Sequence, residues 1–216
     1  MNNVKNIEYY LTQYKLNDPW DIVDYFEKKV SKYLGSQFGV AVDCCTHALF
    51  LCLKYLNSKE IISIPENTYI SIPNVILMSG GKFKFIEKEW DGDYYLEPLN
   101  IIDSACKFTK NMYKKNSLTC LSFHHRKHIP IGRGGMILTD SEKAYKWLKK
   151  ARYDGRNLNI KYDEDHFDSI GYHMYITPEQ ACYGIEQLEK FIDNKISCGG
   201  SKKYKSLKVY ENLFNK

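Results

Sequence analysis

Between residues 38 and 86 the apolar pattern of this chain changes period four times. Residues 38–42 form a short apolar run; residues 46–56 then place Ala48, Leu49, Leu51, Cys52, Leu53 and Leu56 at helical spacing. Residues 61–64 are a second apolar run. Residues 69–78 are helical, with Pro73 in the first turn, and after Gly80-Gly81 a third run covers residues 82–86. Strands joined through crossover helices pair in parallel within a helix-covered sheet, so this stretch predicts an α/β architecture. Upstream, Asp18-Pro19 opens a helix whose stripe of Val23, Phe26, Val30 and Tyr33 stops at Gly35. Downstream, strands are expected at 101–102, ending on Asp103, at 118–123 and at 136–139. Helices are expected at 141–150, capped by Ser141, and at 178–194, with Ala181, Ile185, Leu188 and Ile192 on one face. Residues 87–98 read as a polar loop, 152–175 as irregular and 203–214 as a last helix. The expectation is one domain over residues 1–216, a three-layer α/β/α fold with a mostly parallel sheet.

Composition narrows the function classes. The chain has 216 residues, enough for one sizeable core, and its 44% apolar and 26% charged content is that of a soluble globular protein. The net charge of +5 is modest, with a cluster at Lys202, Lys203, Lys205 and Lys208. Nucleic-acid binding wants a denser basic face; a small anionic substrate suits this charge. No apolar run of about 18 residues is present, so no membrane span is expected, and residues 1–5 lack a signal-peptide core. The seven cysteines are odd in number and contain no C-x-x-C, which predicts free thiols in the cytoplasm rather than disulfides or structural zinc.

Open parallel sheets bind ligands at the C-terminal ends of their strands. Three groups are predicted at such ends. Thr46 starts a helix after a strand, where free N–H groups and a hydroxyl suit an anion or simply cap the helix. Asp103 ends a strand. Ser122 ends another, with Lys127 five residues on, before the turn Gly132-Arg133-Gly134-Gly135. Pyridoxal 5′-phosphate (PLP) would use all of these: Lys127 for its aldehyde as a Schiff base, Asp103 for its protonated ring nitrogen, Thr46 and Ser122 for its phosphate. Most lysines are merely solvated, and Asp103 can equally cap the turn at Ser104-Ala105; the order of segments raises the functional reading. His124, His125 and His128 are spaced H-H-x-x-H in a loop without a fourth ligand, so no metal is expected.

The same residues carry a family resemblance. Asp43-Cys44-Cys45-Thr46-His47-Ala48-Leu49 is similar to the Ser-Gly-Thr-x-Ala-Leu helix entry of the DegT/StrS family of fold-type I, PLP-dependent nucleotide-sugar aminotransferases. Pro65 to Tyr69 resembles its Pro-x-x-Thr-aromatic segment, Ile102-Asp103-Ser104-Ala105 its Glu-Asp-Ala-Ala strand end, and Ser122 through Lys127 to Gly135 its lysine block. Residues 171–175 and 180–188 resemble its Gly-Tyr-Asn-Tyr-Arg-Met and Gln-Ala-Ala-x-Gly-x-x-Gln-Leu segments. The resemblance implies Lys127 and Asp103 as catalytic residues, Tyr69 stacked on the cofactor ring, and a homodimer. It also implies an amino-acid donor with a keto-sugar nucleotide as acceptor. Cys45 stands at the family's glycine, Cys106 at the glutamine near the ring hydroxyl, His173 at the asparagine that reaches the partner subunit's phosphate, and Tyr175 at an arginine. A helix, a strand and a second helix of the family are missing near Leu99, and its C-terminal small domain is largely absent. These departures leave open a PLP-binding relative of little activity that serves as a binding or partner subunit. Dehydration is disfavoured, because the family's dehydratases replace the lysine by histidine.

Overall fold

The computed structural model describes residues 6–158 and 160–214. Six α-helices and seven strands follow one another as α1 (Ile7–Tyr14), α2 (Pro19–Leu34), β1 (Phe38–Val42), α3 (Cys45–Leu56), β2 (Ile61–Pro65), α4 (Ser71–Met78), β3 (Lys82–Ile86), β4 (Tyr94–Tyr95), β5 (Ile101–Asp103), β6 (Leu118–Ser122), β7 (Gly135–Thr139), α5 (Glu142–Ala151) and α6 (Pro178–Lys190). Local chemistry sets most of these limits. Asp18 and Asp21 form a capping box at the start of α2, with Pro19 in the first turn and Gly35 left-handed beyond the end. Ser141 caps α5 through the Ala144 N–H, and Thr177 and Gln180 box the start of α6.

The main sheet has the order β1-β7-β6-β5-β4, and β2 and β3 form a parallel pair of their own. Only β5 and β6 pair in parallel within the main sheet; β1–β7, β6–β7 and β4–β5 are antiparallel. The expected mostly parallel sheet is therefore corrected to a mixed one. β1, β5 and β6 share a direction, and β7 and β4 oppose it. The reason lies in the connections. Residues 123–134 between β6 and β7 contain no crossover helix, and Phe123 and Gly134 close the turn with an N–H···O bond of 2.8 Å, so β7 folds straight back. β4 is a two-residue strand in the stretch expected to be loop, and Glu97 beyond it exchanges backbone bonds with Ser63 of β2. That segment occupies the place between β5 and β2.

Helices cover both faces of the sheet. Val40, Val42, Leu118, Cys120 and Ile137 face α3, α4 and α5. Their neighbours Ala41, Leu121, Met136 and Leu138 face α1, α2 and α6. This period-two alternation makes the three layers. α6 lies close on α2 because Gly184 has no Cβ; one there would sit 2.6 Å from the Phe26 ring.

Three helical expectations change. α1 was not expected. α6 stops at Lys190 rather than near 194, because Asp193 ties down the chain just after it, accepting from the Tyr33 hydroxyl at 3.0 Å and the Lys110 N–H at 2.8 Å. Ile192, expected on the apolar face, is 84% exposed. Residues 203–214 form no α-helix. Short 3-10 turns at Ser201–Lys203 and Lys208–Leu213 flank a strap held by Leu207 N–H to Glu66 O (2.8 Å) and Asn67 Nδ2 to Tyr204 O (2.9 Å).

Candidate active site

The C-terminal ends of β1, β5 and β6 open on a cavity of about 400 Å³. Cys45, Thr46, Tyr69, Asp103, Cys106, Ser122 and Lys127 all line it. His173 does not. It is exposed, bonded through Nδ1 to Asp154 (3.0 Å) and through Nε2 to the Tyr175 hydroxyl (3.1 Å). Its segment still borders the site, because Asp43 N–H donates to Met174 O at 3.1 Å.

One wall is the N-terminus of α3. Cys44, not Thr46, is the cap; its Sγ accepts the His47 N–H at 3.4 Å. Thr46 in the first turn donates its hydroxyl to Ser71 Oγ at 3.1 Å. The N–H groups of Cys45 and Thr46 occupy positions that lack an intrahelical partner and favour an anion. Gly135 packs straight against this turn; a Cβ there would lie 2.6 Å from Cys44 C and 2.7 Å from Cys45 N. Arg133 Nη2 and His47 Nδ1 each lie 2.6 Å from an oxygen of Asp43. Burial works against the Asp43 charge, but His47 and Arg133 outweigh it and hold the carboxyl below its usual range. Asp43 in turn lifts His47 to about 9. Among the described residues, Asp43, Cys44 and His47 are the group of donors near enough together for a metal. His47 and Arg133 already pair with the two oxygens of this carboxylate. Of the three loop histidines, His128 Nε2 bonds the Ile196 carbonyl at 2.8 Å, and His124 and His125 pack on each other.

The floor holds Asp103 and Lys127. Asp103 is buried, with Oδ1 accepting from Ala105 N–H (2.9 Å) and Oδ2 from the Tyr94 hydroxyl (3.0 Å), while Cys45 Sγ lies 4.0 Å from Oδ1. Burial pushes this carboxyl up, against the Ala105 N–H, the Tyr94 hydroxyl and the Lys127 charge. Lys127 sits in the turn after β6, and its Nζ donates to Cys106 Sγ at 3.1 Å. Burial disfavours the ammonium, but Cys106, Cys198 and Asp103 together raise it above its ordinary value. Cys106 is held up by its bond to Cys198 and by burial, whereas Cys198 is pushed down to about 6 by the same bond. The roof is aromatic. Tyr69 meets Tyr204 edge-on at 6.4 Å, and Tyr204 stacks on Trp90 at 5.7 Å.

Sequence reasoning missed Thr68, Trp90, Tyr94, Arg133 and Tyr204. Arg133, inside the glycine turn, was within reach as an anion ligand. The aromatic roof joins segments far apart in sequence, and no local pattern marks it.

A lysine, a buried carboxylate and a helix N-terminus thus gather at the strand ends of a sheet with helices on both faces. The profile of the DegT/DnrJ/EryC1/StrS aminotransferase family matches residues 2–112 and 109–215, and the chain belongs to that family. It is 25% identical to the spore coat polysaccharide biosynthesis protein SpsC of Bacillus subtilis, over 79% of this chain and 57% of that protein. It is 24% identical to a Campylobacter jejuni UDP-4-amino-4,6-dideoxy-N-acetyl-beta-L-altrosamine transaminase, over 80% of this chain and 57% of the other. The chain thus spans about half the length of these curated relatives. The solved structure of NtdA from Bacillus subtilis, with bound cofactor PMP, shares the fold with a TM-score of 0.68 at 21% identity, covering 88% of this chain and 53% of that one.

The residues present fit a PLP group. The donor set supplies an amine, a buried carboxylate, two hydroxyls and an unfilled helix N-terminus on one cavity, and Gly135 leaves that turn uncrowded from the β7 side. No helix among the described residues is long and apolar enough to cross a membrane.

Proposed function

We propose that this chain binds PLP on Lys127 and belongs to an enzyme that moves an amino group from an amino-acid donor to a keto-sugar nucleotide. The observation that carries this reading is the convergence of Lys127, Asp103 and the α3 N-terminus on one cavity. When bound, PLP supplies an electron sink for the carbon that bears the amino group. Thr46, Ser122 and the first turn of α3 bind the phosphate, with Arg133 and His47 adding positive charge nearby. Asp103 keeps a proton on the ring nitrogen. Tyr69 covers one face of the ring and, with Trp90 and Tyr204, excludes water. Lys127 Nζ would hold the cofactor's aldehyde and, when free, would move a proton at the substrate carbon. Cys45 would line the site near the phosphate and Cys106 near the ring hydroxyl.

The reading includes a homodimer, in which His173 reaches the phosphate of the partner. The small-molecule substrates follow from the relatives' chemistry, and the seven free thiols suit a reducing cytoplasm. A second reading, a PLP-binding chain with little turnover, is favoured by one observation: Cys106 takes the Lys127 amine that the reaction needs free. Borohydride reduction of the PLP-treated protein followed by peptide mapping tests the first step. The pyridoxyl group is expected on Lys127; a label on another lysine, or none at saturating PLP, rejects it. A half-reaction with a panel of amino acids then separates the two readings.

A further inference from the structure

Asp103 does not face the cavity alone. Tyr94, from the two-residue strand beside β5, places its hydroxyl 3.0 Å from Asp103 Oδ2, and Thr68 Oγ1 lies 2.5 Å from that same hydroxyl. Tyr94 is 3% exposed and Thr68 2%. The direction of these bonds follows from a count of protons. An ionised carboxylate has none to give, so Tyr94 donates its single proton to Asp103. Thr68 then donates its own to Tyr94. The phenol keeps that proton, since burial and then the Asp103 charge push Tyr94 well above its usual range. Ala105 N–H fixes the other oxygen, so both carboxylate oxygens are held. Such a chain in a water-poor interior is stronger than the same bonds in solvent.

We infer that Tyr94, backed by Thr68, is a positioning residue that keeps Asp103 ionised and oriented toward a cationic ring nitrogen in the cavity. The inference rests on the PLP reading for its ligand, but the relay exists in the empty protein. The segment that delivers Tyr94 is the one that fills the gap between β5 and β2, so the unusual part of the sheet supplies the support for the central carboxylate. Tyr94 itself touches no reacting atom.

The test is the titration of Asp103 in the cofactor-free full chain, followed by NMR of carboxyl-labelled aspartate and assigned from the signal that vanishes in Asp103→Asn. Tyr94→Phe keeps the ring and removes only the donor. It is expected to raise the Asp103 titration by about one pH unit, the worth of one hydrogen bond to a charged group. Thr68→Val is expected to raise it less, in the same direction. Lys127, Asp93, Cys45, Cys120 and Tyr204, the other ionisable groups that act on Asp103, are untouched by both variants. An unchanged Asp103 titration in folded Tyr94→Phe overturns the inference. Should Tyr94→Phe not fold, an unchanged titration in Thr68→Val overturns it instead. Because no cofactor is present, failure of Lys127 to take PLP leaves this result intact.

Discussion

The two ends of the strand array, the main sheet from β1 and the separate β2–β3 pair beyond β4, are built differently. β7 buries all five of its residues, and β1 and β6 each bury four, under helices on both faces. At the other end β2 buries three of five and β3 none. β3 alternates Lys82 and Lys84 with half-buried Phe83 and Phe85, the pattern of a strand with one wet face, and its lysines discourage pairing with another edge. The site lies on the seam. Lys127 and Ser122 hang from the dense end, Asp103 from the last fully buried strand, and the aromatic roof from loops of the sparse end. The proposed chemistry needs the amine and the carboxylate fixed and the roof able to open. Elements that move are drawn from regions with few buried contacts.

The dense end holds its largest single liability in a buried pair. Arg152 Nη1 bonds Glu27 and the Ala41 carbonyl, and Glu27 also accepts from Lys149 at 3.0 Å and from Ala41 N–H at 2.8 Å. This network joins α2, β1 and α5. Arg152→Met leaves Glu27 3% exposed with one cation fewer and is expected to cost about 3 kcal/mol, near the lower end for breaking a buried pair because Lys149 remains. Urea unfolding measures it. A loss below about 1 kcal/mol would show that the dense end does not depend on this network.

The same measurement applied to the sparse end should give less. Phe85 packs on Phe83 and Phe214 with ring centroids 5.1 and 5.9 Å away, yet stays partly exposed. Phe85→Ala is expected to cost about 1–2 kcal/mol, below the range for a fully buried phenylalanine. Amide exchange of β3 should also run ahead of that of β7. Equal exchange in the two strands, or a Phe85→Ala cost matching that of Arg152→Met, would remove the distinction between the ends.

The contrast also marks what was legible in the sequence. At the dense end β1 and α2 fall where their period and caps put them, because Asp18, Pro19 and Gly35 are local signals. Lys127, Ser122, Asp103 and Thr46 meet on one cavity as expected, since strand ends in such a sheet share a rim. Direction was not legible. Whether β7 folds back on β6 depends on residues 123–134 lacking a crossover helix, which a glycine turn does not by itself reveal. Tyr94-Tyr95 is too short to show a period, so β4 and its relay to Asp103 stayed hidden. The roof depends on Tyr204 meeting Trp90, a tertiary contact. Cys44 as the cap is not legible either, because a thiol is a weaker acceptor than the neighbouring Thr46 hydroxyl.

An effect of similar size lies at the N-terminus of α3 and is a matter of pH. His47 pairs with Asp43 on the first turn of α3, and its value rises from 6.5 unfolded to about 9 folded. A raised folded value means the folded state holds the proton more tightly. The contribution is therefore complete below about pH 6.5 and is lost as pH climbs through 9. Asp43, held below its ordinary 3.8, sets the opposite limit: its share is complete above that value and fades as pH falls below it. Between these limits the pair is at full strength, worth about 1–2 kcal/mol once solvent screening of the partly exposed imidazole is allowed for. His47→Gln should lower stability by that amount at pH 6 and by almost nothing near pH 10, in urea titrations run in parallel on the two proteins. A difference that does not change between these pH values would mean that the imidazole titrates alike in the folded and unfolded chains. Above about pH 6.5 Arg133 alone would then stand as the cation that compensates Asp43.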